Sequence, residues 1–162
     1  MQFQNLGTSE LWHLASALQV EYADLIDDDQ LEKLPDLFVE EGLYKLIPRE
    51  NADRDLDLAV ILCTSRAMLV DRIVSLREAN IYPDHHSRHI LSTTRFCAIE
   101  RDFVRTQTSY AVLQTRNDGR TQIHNAGRYI DEIVSDDGRL KFRSKIAIFD
   151  TNRIDTLIAL PV

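Results

Sequence analysis

Between Ser9 and Asp28 the apolar side chains return every three or four residues, at Leu11, Leu14, Ala15, Leu18, Tyr22, Leu25 and Ile26. That period predicts an α-helix with one buried face, and Thr8 or Ser9 stands where a capping hydroxyl is expected. A shorter helical turn is expected in "DQLEKLPDLF", begun or interrupted at Pro35. "GLYKLIP" alternates as a strand does and stops at Pro48, and the polar run "NADRDLDLA" reads as an exposed loop. From Ser65 to Ala79, Met68, Leu69, Ile73 and Leu76 share one side of a second long helix, with Ser65 as its cap.

After Pro83 the period changes from helical to twofold. From His89 to Ala159 β-branched and aromatic residues dominate, broken at "RNDGR" and "SDDGR", both Asp-Gly turns of the hairpin kind. In "RLKFRSKIAIF" the pattern puts Leu140, Phe142, Ser144, Ile146 and Ile148 on a core face and Arg139, Lys141, Arg143 and Lys145 on a wet one. Helices first and strands afterwards predict an α+β protein, its helices packed on one face of a mostly antiparallel sheet. Strands this long must twist and curl, and a curled sheet closed by helices makes a cone.

At 162 residues the chain is expected to be one domain, 1–162, with a core of its own. Nineteen basic against 26 acidic side chains leave a net charge of −7, which argues against nucleic acid and anionic membrane as partners. No apolar stretch is long enough to span a bilayer and the amino terminus lacks a secretory pattern, so a cytoplasmic location is expected. Cys63 and Cys97 lie in apolar surroundings without metal-ligand spacing and read as buried, reduced thiols.

"IYPDHHSRHI", Ile81 to Ile90, gathers three of the five histidines. In extended chain His85 and His89 would stand about 13 Å apart, too far to share one metal ion. With Asp84 as the nearest carboxylate and no second ligand motif, a hydrogen-bonding or interface role is the expectation.

"MLVDRIVSLREANIYPDHHSRHIL", Met68 to Leu91, resembles the small, or β, subunit of aromatic-ring-hydroxylating oxygenases, as do "LYKLIP" and the tail "DTLIALPV". The likeness runs through nearly the whole chain. Within the family it is most similar to subunits serving carboxylated aromatics such as terephthalate, anthranilate, salicylate and benzoate. The resemblance implies a nuclear-transport-factor-like cone, also the fold of scytalone dehydratase and ketosteroid isomerase. It also implies a complex of three α and three β subunits, with ferredoxin and reductase reached only through α. The α subunit would carry a Rieske 2Fe-2S cluster and a mononuclear Fe(II), and this chain would bind neither and hold no catalytic residue.

The resemblance further implies a helix and loop fixed by ion pairs, with Asp71, Arg72 and Arg77 on the helix and Arg88 and His89 in the family's Arg-His motif. Where this chain has "DHHS" many members carry prolines and an arginine. Candidate contacts to neighbouring subunits are therefore Arg77, Tyr82, His85, His86, Arg88, His89, Leu160 and Val162. The apolar tail "RIDTLIALPV" is expected to dock, on its own sheet or on another subunit. The competing expectation is a stand-alone dehydratase or isomerase, with Tyr22, Asp24, His124, Tyr129 and Asp131 supplying an acid and a base inside the cone. On one strand Tyr129 and Asp131 face together and His124 faces away, so the three meet only across a bulge.

Overall fold

A computed structural model describes Phe3, residues 7–79 and 85–150, Pro161 and Val162. The first helix, α1, spans Thr8–Asp27 and buries Leu11, Ala15, Leu18, Gln19, Tyr22, Ala23 and Ile26. Its N-cap is Gly7, without a side-chain cap, in place of the expected hydroxyl. A 3-10 helix, Leu31–Leu37, holds Pro35 and leads directly into β1, Phe38–Pro48. The polar run after Pro48 is a loop only in part, because Arg49–Asp53 forms the short helix α2. Strand β2 (Ile61–Cys63) precedes α3, Arg66–Ala79, whose Met68 amide donates to Ser65 Oγ at 3.3 Å. Leu69, Ile73 and Leu76 of α3 are buried as expected, whereas Met68 is exposed.

The remaining strands are β3 (His85–Leu91), β4 (Arg95–Ile99), β5 (Val104–Arg116), β6 (Thr121–Asp136) and β7 (Arg139–Phe149). They join one sheet in the order β2-β1-β7-β6-β5-β3, with β4 also pairing β5. All pairs are antiparallel except β1 with β7. Both Asp-Gly turns form where expected, with Gly119 at φ 81° and Gly138 at φ 79°. α1 packs on β3 and β7 and α3 on β1 and β2, so the curved sheet wraps the helices and the core fills the hollow between them.

One feature of β7 reverses the expected facing. Phe142 pairs with Ile133 and Ser144 with Glu132, so Arg143 is an extra residue, a β-bulge. Because side chains alternate with period two, one inserted residue exchanges the two faces beyond it. Phe142 stays inside, and Lys145, Ala147 and Phe149 follow it inward. Lys145, expected on the wet face, is thereby fully buried, and Ile146 lies on the opposite face, half-buried.

The cysteines also divide. Cys63 is buried, but Cys97 on β4 is exposed, because alternation along "RFCAI" turns it to the outer face. Val162 is 2 % exposed within its own chain: its carbonyl oxygen accepts from Tyr22 Oη at 2.9 Å, and its amide donates to Tyr44 Oη at 3.1 Å. The residues before it, Thr151 to Leu160, lie outside the described part.

Candidate functional site

Two polar groups occupy the hollow of the cone. The deeper is centred on Lys145, whose Nζ donates to Gln19 Oε1 at 2.8 Å and lies 3.3 Å from Asp131 Oδ2. Gln19 Nε2 in turn donates to Asp131. The ammonium lies over three rings, 3.9 Å from the centroid of Tyr129, 4.3 Å from Tyr22 and 4.4 Å from Phe142. Ring faces carry partial negative charge and partly replace the lost water. α1 supplies Gln19 and Tyr22, β6 supplies Tyr129 and Asp131, and β7 supplies Phe142 and, through its bulge, Lys145. Burial pushes the Lys145 ammonium down to about 8 against the pull of Asp131, and burial raises the Asp131 carboxyl.

Tyrosines line the rest of the hollow. Tyr110 stacks on Tyr129 with centroids 4.2 Å apart and donates to Asn125 Oδ1 at 2.6 Å. Burial raises Tyr44 to about 12 and lifts Tyr22, Tyr110 and Tyr129 well above their ordinary range. Lys145, Asp131, Tyr22 and Tyr129 are all 0 % exposed, so this titratable pair meets no solvent and no substrate in this conformation.

The second group ties the carboxyl end of α1 to β3. Asp27 accepts from the His89 backbone amide at 2.7 Å and meets His89 Nδ1 at 2.6 Å. The His89 ring is 0 % exposed and its Nε2 is buried without a hydrogen-bond partner among the described residues. An N–H at Nδ1 facing this carboxylate would orient the ring.

The strand expected from His89 already begins at His85, and the alternation along "HHSRHI" sorts the candidates. His85 and His89 face inward, while His86 and Arg88 face outward and are exposed. Arg77 makes ion pairs within the chain, to Glu32 Oε1 at 2.7 Å and Asp29 Oδ1 at 2.8 Å, and the guanidinium holds the Glu32 carboxyl below its usual range. Val162 lies under Tyr22 and Tyr44, and Tyr82 and Leu160 fall outside the described residues.

Of the acid-base candidates, Tyr22, Tyr129 and Asp131 do meet. Asp24 is exposed on α1, and His124 occupies a bulge of β6, between Ile123 paired with Leu113 and Asn125 paired with Val112. The His124 imidazole is held low by burial, then by His85 and Arg116, away from the Lys145 cluster. Sequence reasoning missed Lys145 and Gln19. Gln19 stands among Ala15, Leu18 and Tyr22 on the buried face of α1, a polar residue in an apolar stripe that called for an internal partner.

Among the described residues no group of three or more His, Cys, Asp or Glu side chains is placed to hold a metal ion. A Rieske centre needs two Cys and two His around its cluster, and Cys63 and Cys97 stand on separate strands, one buried and one exposed, so these residues do not fit it.

A strongly curved, unclosed sheet wrapped around helices defines a cone of the nuclear-transport-factor-like class. A protein from Novosphingobium aromaticivorans DSM 12444 named as a scytalone dehydratase shares this fold, with a TM-score of 0.66, 16% identity and coverage of 86% of this chain and 83% of that one. The chain belongs to the ring hydroxylating beta subunit family, whose model matches residues 21–156. It is 39% identical to the anthranilate 1,2-dioxygenase small subunit of Burkholderia cepacia over 93% of this chain and 94% of that protein. A crystal structure from Novosphingobium aromaticivorans DSM 12444, named as the β subunit of an aromatic-ring-hydroxylating dioxygenase, superposes with a TM-score of 0.86. It is 42% identical and covers 94% of this chain and 97% of that one.

Proposed function

We propose that this chain is the non-catalytic subunit of a cytoplasmic, multicomponent oxygenase, holding catalytic α subunits in register while they hydroxylate an aromatic acid with dioxygen and NADH-derived electrons. Three α and three β subunits would form the complex, with the Rieske cluster and mononuclear iron on α. Kinship to an anthranilate dioxygenase small subunit supports the aromatic-acid class. The carrying observation is the filled hollow: an acid, a base and their aromatic neighbours are all 0 % exposed, packed against one another rather than around a vacant site.

In this reading the titratable cluster braces α1 against β6 and β7, and the outward residues His86 and Arg88 offer contacts to neighbours. The test is co-expression with the neighbouring large-subunit gene, followed by native mass measurement and iron analysis. A stable complex is expected, with iron in the complex and none retained by β alone. Stoichiometric iron in isolated β, or aromatic hydroxylation by it, overturns the reading.

A further inference from the structure

We propose that the seat of Val162 in the hollow of the cone is a binding site for a small apolar carboxylate, a site that Val162 itself fills in this conformation. The proposal goes beyond the oxygenase reading and does not depend on it.

Val162 is almost fully buried, and polar contacts as well as packing hold it there. Tyr22 Oη of α1 donates to its carbonyl oxygen at 2.9 Å. Tyr44 Oη of β1 approaches the same oxygen at 3.4 Å and accepts from the Val162 amide at 3.1 Å. Both hydroxyls belong to buried side chains. Ring contacts join them in an arc: Tyr22 to Phe142 with centroids 5.9 Å apart, Phe142 to Phe38 at 5.3 Å and Phe38 to Tyr44 at 6.4 Å. Tyr22 and Tyr44 thus stand at the two ends of an aromatic wall, and their hydroxyls converge on one oxygen.

Packing alone does not call for that convergence. Phenylalanine at either position would present the same ring without a polar atom to satisfy. Two donors aimed at one place suit a carboxylate, whose charge strengthens each hydrogen bond. Burial keeps both phenols protonated, so at neutral pH both are available as donors. Arg72 of α3 is the nearby cation, and its charge opposes the rise that burial imposes on Tyr44 and on Cys63. A single guanidinium beside an aromatic wall fits one negative charge on an apolar body. A phosphate would bring more charge than the hollow can compensate.

Because Val162 is tethered to the site, it competes at high effective concentration, and a free acid enters only when Val162 is displaced. Emptying the seat takes from both hydroxyls their common acceptor, which favours a ligand that restores it.

The test titrates benzoate by calorimetry into the full chain and two variants, with circular dichroism to confirm that each is folded. Val162→Lys keeps the chain length and drives position 162 out of the apolar seat. Deletion of Pro161 and Val162 empties the seat without adding a charge. Benzoate is expected to bind both variants at least about 10-fold more tightly than wild type, because the tethered competitor is gone. Adding Tyr22→Phe, which keeps the ring face over Lys145, should weaken that binding by about 10-fold. Benzamide, with the same ring and no charge, should bind the variants at least about 10-fold more weakly than benzoate. No binding to either variant, equal binding to wild type, indifference to Tyr22→Phe or equal binding of benzamide overturns the site. None of these outcomes bears on capture of the large subunit, which decides the oxygenase reading separately.

Discussion

Lys145 has exchanged its water for one carboxylate, one amide and three ring faces. Desolvation of two charges is offset only while both remain, so removing one partner strands the other. Asp131→Ala is expected to destabilise the fold by about 3–5 kcal/mol, whereas Asp131→Leu combined with Lys145→Met recovers most of that loss. Urea titration of Asp131→Ala and of the double variant measures it, and a double variant no more stable than Asp131→Ala contradicts the account. Lys145 also marks where the sequence misleads. Its neighbours alternate cleanly, and nothing in "FRSKI" announces that Arg143 is an added residue. The displacement is dictated by pairing with β6, a long-range partner that a local pattern cannot display. The strand through His89 was legible by contrast, because alternation is local information, but its start at His85 was not, since that end is set by pairing with β5.

Among elements, the helices were read best. α1 and α3 have faces long enough for the period to emerge, and Ser65 is the cap of α3 as expected. The short α2 escaped because four polar residues and one alanine carry no apolar period. The two long hairpins were marked by Asp-Gly, yet glycines differ in what they do. Gly138 sits at φ 79° with open space around it, so Gly138→Ala should cost about 1–2 kcal/mol of left-handed strain. Gly127 lies where β6 crosses β7, and a Cβ there would stand 2.0 Å from the Ile148 carbonyl oxygen. The backbone cannot yield cheaply, so Gly127→Ala should cost at least about 3 kcal/mol. Comparing the two melting curves checks the contrast, and equal effects would contradict it.

At the scale of the whole molecule, four buried tyrosines couple the fold to alkaline pH. Tyr22, Tyr44, Tyr110 and Tyr129 all have raised pKa values, burial being the first cause in each. Above pH 10 the unfolded chain releases these protons and the folded chain keeps them, so stability present below pH 10 is lost as pH rises. Each group contributes about 1.4 kcal/mol per pH unit in that window, so unfolding should be steep. Tyrosinate absorbance from these rings should then appear together with loss of helix in circular dichroism. Ionisation well before unfolding would show that the hollow admits water.

The parallel pairing of β1 with β7 sets an order on events during synthesis. Tyr44 and Lys145 are register partners separated by about a hundred residues, so while the ribosome is still making the hairpins, one edge of β1 waits without its mate. Contacts this distant in the chain form slowly, and until β7 emerges the nascent subunit exposes an adhesive strand that any chaperone or early-arriving neighbour would have to shield.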